Sequence, residues 1–349
     1  MADKKYIRDL NSLIRFNPRQ RLKTPPLRNA ISGGRGLAEL GEDEVSELVE
    51  SIVVYHSIER TEKVYSYTLD GAPPTLVGSF DAGSDESFGW GASDNGSTVD
   101  IFHCRYGVYK NNVELIGFPP GESRSIVSTN STVICVLDIV DAARDPDPIR
   151  IYDLDGVFIK QISVDGTDSG QRFMRANDHG IITGATFVNN SVWEERVHIY
   201  DFDGVLLLSG PAAQYGDNIF QMYSGASKNA FFVTSINSAY DTFTVTVYNA
   251  DVVQIGSFSI PVVEIADNVT GVSDNRAECI CFTDKGAFIF MDSTTQEKCN
   301  IYGYDLTYDV NGVADGFTYN GLIHAVDVPE SGNLGYASWN NAAELYLRA

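Results

Sequence analysis

The chain has 349 residues, of which 43% are hydrophobic, enough for one large all-β domain or two ordinary ones. No apolar run approaches the ~18 residues that a membrane helix requires, and the N-terminus, MADKKYIRDL, lacks the apolar segment of a signal peptide. We therefore expect a protein that is cytoplasmic when synthesised and not secreted by a signal peptide.

Charge is distributed unevenly along the chain. Residues 1–35 contain nine Lys and Arg and two Asp, a net +7, and since the whole chain carries −22, the other 314 residues carry −29. A basic arm on an acidic body is typical of a protein that binds a partner through the arm. The body would repel nucleic acid and anionic membranes. We expect a protein partner and no membrane, with nucleic acid as a less favoured contact of the arm.

The arm is predicted to span residues 1–40, as a basic helix followed by an extended segment. An apolar stripe at helical spacing predicts the helix over residues 2–16, and Pro18 ends it. The stripe consists of Tyr6, Ile7, Leu10, Leu13 and Ile14. A helix followed by a Pro-containing strap is suited to become ordered on a partner. The predicted partner-binding residues are Arg8, Leu10, Leu13, Ile14, Arg15, Arg19, Arg21, Lys23 and Arg28.

A strand–turn–strand element recurs along the rest of the chain. The segments IRIYDLDGVFI (149–159) and VHIYDFDGVLL (197–207) each contain two alternating runs of β-branched and aromatic residues joined at an Asp-Gly turn. Their tyrosines, Tyr152 and Tyr200, lie 48 residues apart. Tyrosines near a following turn or strand end predict seven units, anchored on Tyr67, Tyr109, Tyr152, Tyr200, Tyr248, Tyr302 or Tyr304, and Tyr346.

An apolar strand is predicted upstream of each anchor. These strands are Ser51–Tyr55, Val99–His103, Thr132–Leu137, Gly180–Val188, Ala230–Ile236, Gly286–Met291 and Leu334–Trp339. Units of about 40–50 residues with three or four strands are typical of β-propeller blades. Such blades stack because one small sheet cannot bury both of its faces alone. We predict an all-β fold, a single β-propeller over residues 41–349, with seven blades and six as the alternative count. The seventh unit ends after its third strand, so we expect a segment around Ala38–Glu50 to supply its outer strand and close the ring.

The tyrosine, turn and unit-length pattern resembles β-propellers of the WD-repeat-like and NHL-like kind over about residues 45–349. The WD dipeptide is absent from all seven units. The resemblance implies a propeller fold and leaves function open, because propellers serve many functions. The arm-and-propeller layout resembles virion and tail proteins of bacteriophages, which implies incorporation into a virion.

Two motifs are candidates for chemistry. Asp153, Asp155 and Gly156 resemble the beginning of a calcium loop, but apolar strand follows the glycine, so an Asp-Gly hairpin turn is the favoured interpretation. The five cysteines, an odd number in a large chain, predict reduced and mostly buried thiols rather than disulfides or a zinc site; they are Cys104, Cys135, Cys279, Cys281 and Cys299. We predict no catalytic residues, no metal and no cofactor.

The favoured function is therefore a non-enzymatic structural protein, anchored to a larger complex by its N-terminal arm. One alternative is a host-recognition propeller that binds a carbohydrate or protein ligand. The other is a metal-dependent propeller hydrolase or lactonase.

Overall fold

The structure is a computed structural model that describes parts of residues 51–343. The described residues are 51–58, 61–81, 90–94, 99–104, 107–111, 113–118, 125–138, 147–164, 171–189, 192–209, 213–214, 224–236, 242–261, 277–291, 298–329 and 342–343. Within these ranges the chain forms strands and turns and contains no helix. The all-β prediction is confirmed. No helix in this part of the chain is long and apolar enough to cross a membrane.

The described strands pair antiparallel, and within each sheet strands consecutive in the chain are neighbours, except for the last strand of the chain, in sheet A, and one short strand in sheet D. Sheet A contains β1 (Ser51–Ile58), β2 (Thr61–Thr68) and β3 (Thr75–Asp81). Sheet B contains β4 (Trp90–Asp94), β5 (Val99–Cys104), β6 (Gly107–Lys110) and β7 (Val113–Gly117). Sheet C contains β8 (Ser125–Thr129), β9 (Val133–Asp138), β10 (Asp147–Asp153) and β11 (Phe158–Val164).

The second half of the chain repeats this arrangement. Sheet D contains β12 (Gln171–Ala176), β13 (Ile181–Asn189), β14 (Val192–Tyr200) and β15 (Leu206–Ser209), and β16 (Ala213–Gln214) also pairs with β14. Sheet E contains β17 (Gly225–Ala226), β18 (Ala230–Ile236), β19 (Thr242–Asn249) and β20 (Gln254–Pro261). Sheet F contains β21 (Ala277–Phe282), β22 (Gly286–Met291), β23 (Lys298–Tyr308) and β24 (Ala314–Asp327). The last strand, β25 (Ala342–Ala343), returns to sheet A and pairs with β1.

The first strands of successive sheets contact one another in a closed order. β4 contacts β8, β8 contacts β12, β12 contacts β17 and β17 contacts β21. β25 completes the cycle, because it contacts both β21 and β4. Four-stranded antiparallel sheets whose first strands follow one another in this way are consistent with a β-propeller.

The predicted apolar strands correspond to the second strand of each unit. Six of them coincide with β1, β5, β9, β13, β18 and β22, whereas Leu334–Trp339 lies outside the described residues. The described part of the seventh predicted unit, β25, is not the start of a separate sheet; it pairs with β1 and takes the first position of sheet A. The closing segment predicted around Ala38–Glu50 lies outside the described residues. Within the described residues, the two ends of the chain meet where β25 pairs with β1.

Alternating side chains explain why these segments form strands between two packed layers. In β19, Phe243, Val245 and Val247 are buried, whereas the threonines between them are half-buried. Successive strand residues point to opposite faces, and β-branched and aromatic residues fit the pleated surface. The sequence TFTVTVYN therefore forms a strand with an apolar face and a more polar one.

The hydrophobic core lies between neighbouring sheets. Between sheets E and F, Phe232 stacks on Phe282 with ring centroids 4.3 Å apart and an interplanar angle of 2°. Both rings are fully buried, which stabilises the fold by about 1.5–3 kcal/mol for each side chain. Comparable clusters join sheets B and C, C and D, D and E, and F and A. Each sheet is thus stabilised mainly by packing against the sheets next to it.

The β23–β24 hairpin of sheet F is longer than the hairpins of the other sheets. Tyr302 pairs with Ala287, as Tyr248 pairs with Phe231 one sheet earlier, so Tyr302 rather than Tyr304 is the equivalent anchor. The extension beyond it packs on sheet E, where Phe317 lies 5.7 Å from Phe258 between ring centroids. The extra residues of unit six therefore cover a neighbouring sheet.

Candidate interaction surface

The predicted partner-binding residues, Arg8, Leu10, Leu13, Ile14, Arg15, Arg19, Arg21, Lys23 and Arg28, lie outside the described residues, as does the whole predicted arm. The surface described below belongs to the sheets. It was not among the predicted sites.

The outer hairpins of sheets C and D are closed by an aspartate that caps the turn. Asp153 Oδ1 accepts hydrogen bonds from the backbone N–H groups of Asp155 (3.0 Å) and Val157 (2.8 Å). Gly156 has φ +81°, in the left-handed region that favours glycine. Asp201 makes the equivalent bonds in sheet D. The hairpin interpretation of the Asp-x-Asp-Gly motif is confirmed, because one oxygen of each first aspartate is committed to its own turn.

Each of these hairpins also lies against the outer strand of the preceding sheet. A Cβ placed on Gly156 would lie 2.9 Å from Cγ of Leu115 in β7, and one on Gly204 would lie 3.2 Å from Cβ of Ile162 in β11. The glycine therefore serves two purposes, a left-handed backbone and a close contact between sheets. The outer strands of neighbouring sheets are brought together in this way.

Hydrophobic side chains are exposed where these hairpins enter their outer strands. Six of them form what we call the C–D rim patch, and each has between 41% and 61% of its surface exposed; they are Val157, Phe158, Ile159, Val205, Leu206 and Leu207. Single exposed hydrophobic residues are ordinary, but contiguous exposed apolar surface marks interaction sites. The C–D rim patch is therefore the candidate interaction surface of the described residues.

Carboxylates border this patch. Asp155 and Asp203 are exposed at the two hairpin turns, and Lys160 Nζ lies 2.7 Å from Asp203 Oδ1, joining sheet C to sheet D. Asp153 and Asp201 complete the turns. Four carboxylates against one ammonium give the border a negative balance, in keeping with the charge of the whole body.

The described thiols of the chain are buried in the core. Cys104, Cys135, Cys281 and Cys299 are buried and form no disulfide, as predicted for these four. Burial raises the pKa of the Cys135 thiol to about 12. A thiol held protonated is a poor nucleophile and a poor metal ligand. Within the described ranges, no group of three or more His, Cys, Asp or Glu is placed to hold a metal ion.

One histidine of sheet D, His198, is buried. His198 in β14 is almost fully buried, and its Nδ1 lies 3.0 Å from the hydroxyl oxygen of Tyr200. The cross-strand partner of His198 is Thr183, whose buried hydroxyl has no hydrogen-bond partner in the structure. Since all three side chains are buried, we assign them a packing role.

The sequence shows an apolar run at the position of the C–D rim patch, although the run was not recognised as a surface feature. Three consecutive apolar residues follow each Asp-Gly turn, Val-Phe-Ile in sheet C and Val-Leu-Leu in sheet D. A strand with one buried face should alternate, so an unbroken apolar run at an edge strand indicates apolar surface facing solvent.

The fold and the surface define the class as an all-β protein of stacked four-stranded antiparallel sheets, consistent with a β-propeller. No family model matches the chain, and no curated protein matches it. Among solved structures the chain is similar to the complex of KlAtg21 with the coiled-coil of AgAtg16, at 13% sequence identity over 80% of this chain and 99% of that chain, with a TM-score of 0.39. At this TM-score the similarity carries no argument about function.

Proposed function

We propose that this protein is a non-enzymatic assembly protein, a β-propeller anchored to a larger complex by its basic N-terminal arm, with a bacteriophage virion or tail as the candidate complex. The observation that carries the proposal is the separation of charge, +7 in residues 1–35 and −29 in the rest. Opposite charge on an arm and a body favours a partner that is reached through the arm. The sheets serve as the rigid body that the arm attaches.

Of the two blade counts, we propose six. Sheets A to F account for all described strands. The contact of β25 with both β21 and β4 supports a ring that the C-terminal strand closes from the inner edge of sheet A. Closure by one strand from the end of the chain removes the exposed faces that an open row of sheets would leave.

The proposal is tested with the full-length chain in its native host. The variant carries Leu10→Ser, Leu13→Ser and Ile14→Ser, and the matched control carries Leu76→Ser, an exposed apolar residue of β3. We expect the control to elute with the high-mass assembly and the arm variant to elute as free protein with an unchanged circular dichroism spectrum. Elution of both variants with the assembly would contradict the proposal.

A further inference from the structure

The two hairpins that carry the C–D rim patch belong to neighbouring sheets that contact each other. The hairpin of sheet D leans on β11 of sheet C, since Gly204 lies beside Ile162 and Asp203 bonds Lys160 at 2.7 Å. Val205 follows directly on Gly204, and its side chain is exposed. The ion pair, and the close approach of Gly204 to Ile162, hold the sheet D hairpin against the outer strand of sheet C.

The patch differs from the same region of other outer strands. In β7 the exposed Val113 is followed by the exposed carboxylate of Glu114, and in sheet E the exposed Val253 is followed by the exposed Gln254. At these strands one apolar side chain follows the turn and a polar one comes next. In β11 and β15 the apolar run continues, which goes beyond what turn formation requires.

The edge of β11 is poorly suited to pair with a strand of another protein. Binding through the exposed side chains is therefore the expected mode. The β10–β11 pairing shifts register after Ile151, so that β11 has an extra residue at Ile159. Bulges, and lysines on an edge strand such as Lys160, protect edge strands from pairing with a further chain. The exposed side chains, rather than the backbone edge, are what the surface offers to a partner.

Charge selects among the occupants of such a surface. Asp155 and Asp203 border the patch, and the body carries −29. A second copy docked patch to patch would place like charges against each other, and an anionic membrane would be repelled. A cationic partner is attracted by the same field, and an apolar face is needed to cover the six hydrophobic side chains.

From these observations we propose that the C–D rim patch binds a basic amphipathic segment of a partner protein, its apolar face on Phe158 and Leu206 and its cations on the Asp155 and Asp203 carboxylates. This proposal concerns residues of sheets C and D only, and it does not depend on the function proposed for residues 1–40. Amphipathic helices docked on apolar surfaces are a common mode of peptide recognition.

The experiment uses the full-length chain and a fluorescent synthetic helix of Leu and Lys with all leucines on one face, followed by fluorescence anisotropy at physiological ionic strength. The test variant is Phe158→Ser with Leu206→Ser, and the matched control is Val113→Ser, an exposed apolar residue of sheet B at the position equivalent to Val157. We expect the test variant to bind the helix at least about tenfold more weakly, and the control to bind within about twofold of the parent. A peptide of the same composition with its leucines dispersed should lose about tenfold as well.

Several outcomes overturn the proposal. Equal binding by the test variant, or equal binding of the dispersed peptide, would show general attraction to an acidic body. Loss of self-association in the test variant, measured by sedimentation, would assign the patch to a second copy. Loss of binding to zwitterionic vesicles would assign it to a lipid surface. Unchanged melting temperatures of both variants confirm that folding does not account for the result.

Discussion

The side-chain amide of Asn130 in sheet C donates a 2.7 Å hydrogen bond to the backbone carbonyl of Asn177 in sheet D. Asn177 repeats the contact one sheet further on, because its amide donates to the carbonyl of Ser227 at 2.9 Å. Each asparagine also caps its own turn; Asn177 Oδ1 accepts from the N–H groups of His179 and Gly180. Residues about 50 positions apart in the chain are thus linked by a buried polar series that orders successive sheets.

Replacement of Asn177 should therefore weaken the fold more than its size suggests. Asn177→Ala leaves buried backbone groups in two sheets without a partner, and we expect the free energy of unfolding to fall by about 2–4 kcal/mol. Urea denaturation measures this loss. The neighbouring Asp178 accepts an exposed bond from Ser131, so Asp178→Ala should cost about 1 kcal/mol or less. Equal costs for the two variants would contradict the role given to Asn177.

Two glycines with left-handed backbones allow the cost of backbone strain to be distinguished from the cost of crowding a neighbouring side chain, when each is replaced by alanine. Gly321 has φ +85° and open space where a Cβ would lie, whereas Gly156 has φ +81° and Leu115 at 2.9 Å from that position. We expect Gly321→Ala to cost about 1–2 kcal/mol for the backbone alone, and Gly156→Ala to cost about 1–3 kcal/mol more for overpacking. Thermal unfolding of both variants tests the difference. A Gly156→Ala variant as stable as Gly321→Ala would show that the inter-sheet contact yields easily.

Two buried threonines allow the same substitution to be compared in opposite settings. Thr283 Oγ1 accepts from the N–H of Gly286 at 3.0 Å, while the hydroxyl of Thr183 is buried without a hydrogen-bond partner in the structure. Thr283→Val should destabilise the protein by about 1–2 kcal/mol. Thr183→Val removes a hydroxyl that is desolvated without a compensating hydrogen bond, so it should be neutral or stabilising by up to about 1 kcal/mol. Unfolding midpoints of the pair in urea give the answer, and a larger loss for Thr183→Val would be the contrary result.

Asp309 gives a pH dependence of known sign. The hydrogen bond from the Val313 N–H, with further bonds from Asn311 and Gly312, lowers the pKa of this carboxyl below 3.8. A lowered folded-state pKa means that the carboxylate stabilises the hairpin above pH 3.8 and that this stabilisation disappears as the pH falls through the folded-state value. An NMR titration of the Asp309 carboxyl should show the lowered midpoint.

The control for this effect is replacement of Asp309 by asparagine, the residue found at the equivalent turn of sheet E. Asn249 caps the equivalent turn of sheet E with the same pair of bonds, so Asp309→Asn should keep the hairpin while removing the titrating group. We expect its unfolding midpoint to fall less than that of the parent between about pH 6 and about pH 3. Parallel falls in both proteins would be evidence against a stabilising carboxylate at this position.

Local features of the fold were predictable because they depend on residues a few positions apart. The Asp-Gly hairpins at Asp153 and Asp201 require a capping carboxylate and a left-handed glycine three residues later, and both are visible in any window of five residues. The second strand of each described unit was found for the same reason, since an apolar run between turn residues needs no knowledge of its neighbours. Such predictions succeed because strands and turns are specified by residues within a few positions of one another.

Relationships between sheets were not predictable at that scale. The choice of Tyr302 over Tyr304 as the anchor depends on pairing with Ala287, and the position of β25 beside β1 depends on strands almost 300 residues apart. The apolar run after each Asp-Gly turn was visible, but whether it faced a neighbouring sheet or solvent could not be inferred from alternation.

The amino-acid sequence by itself determined the all-β class, the repeated strand–turn–strand element, and the division of charge between residues 1–35 and the rest of the chain. These properties follow from composition and from contacts within a few residues. Tertiary structure alone decided which strands meet, how Asn130 and Asn177 link successive sheets, and that Phe158 and Leu206 face solvent beside acidic turns. The reason is physical: burial and inter-sheet hydrogen bonds join segments about 50 residues apart, and no local pattern specifies which of them will be neighbours.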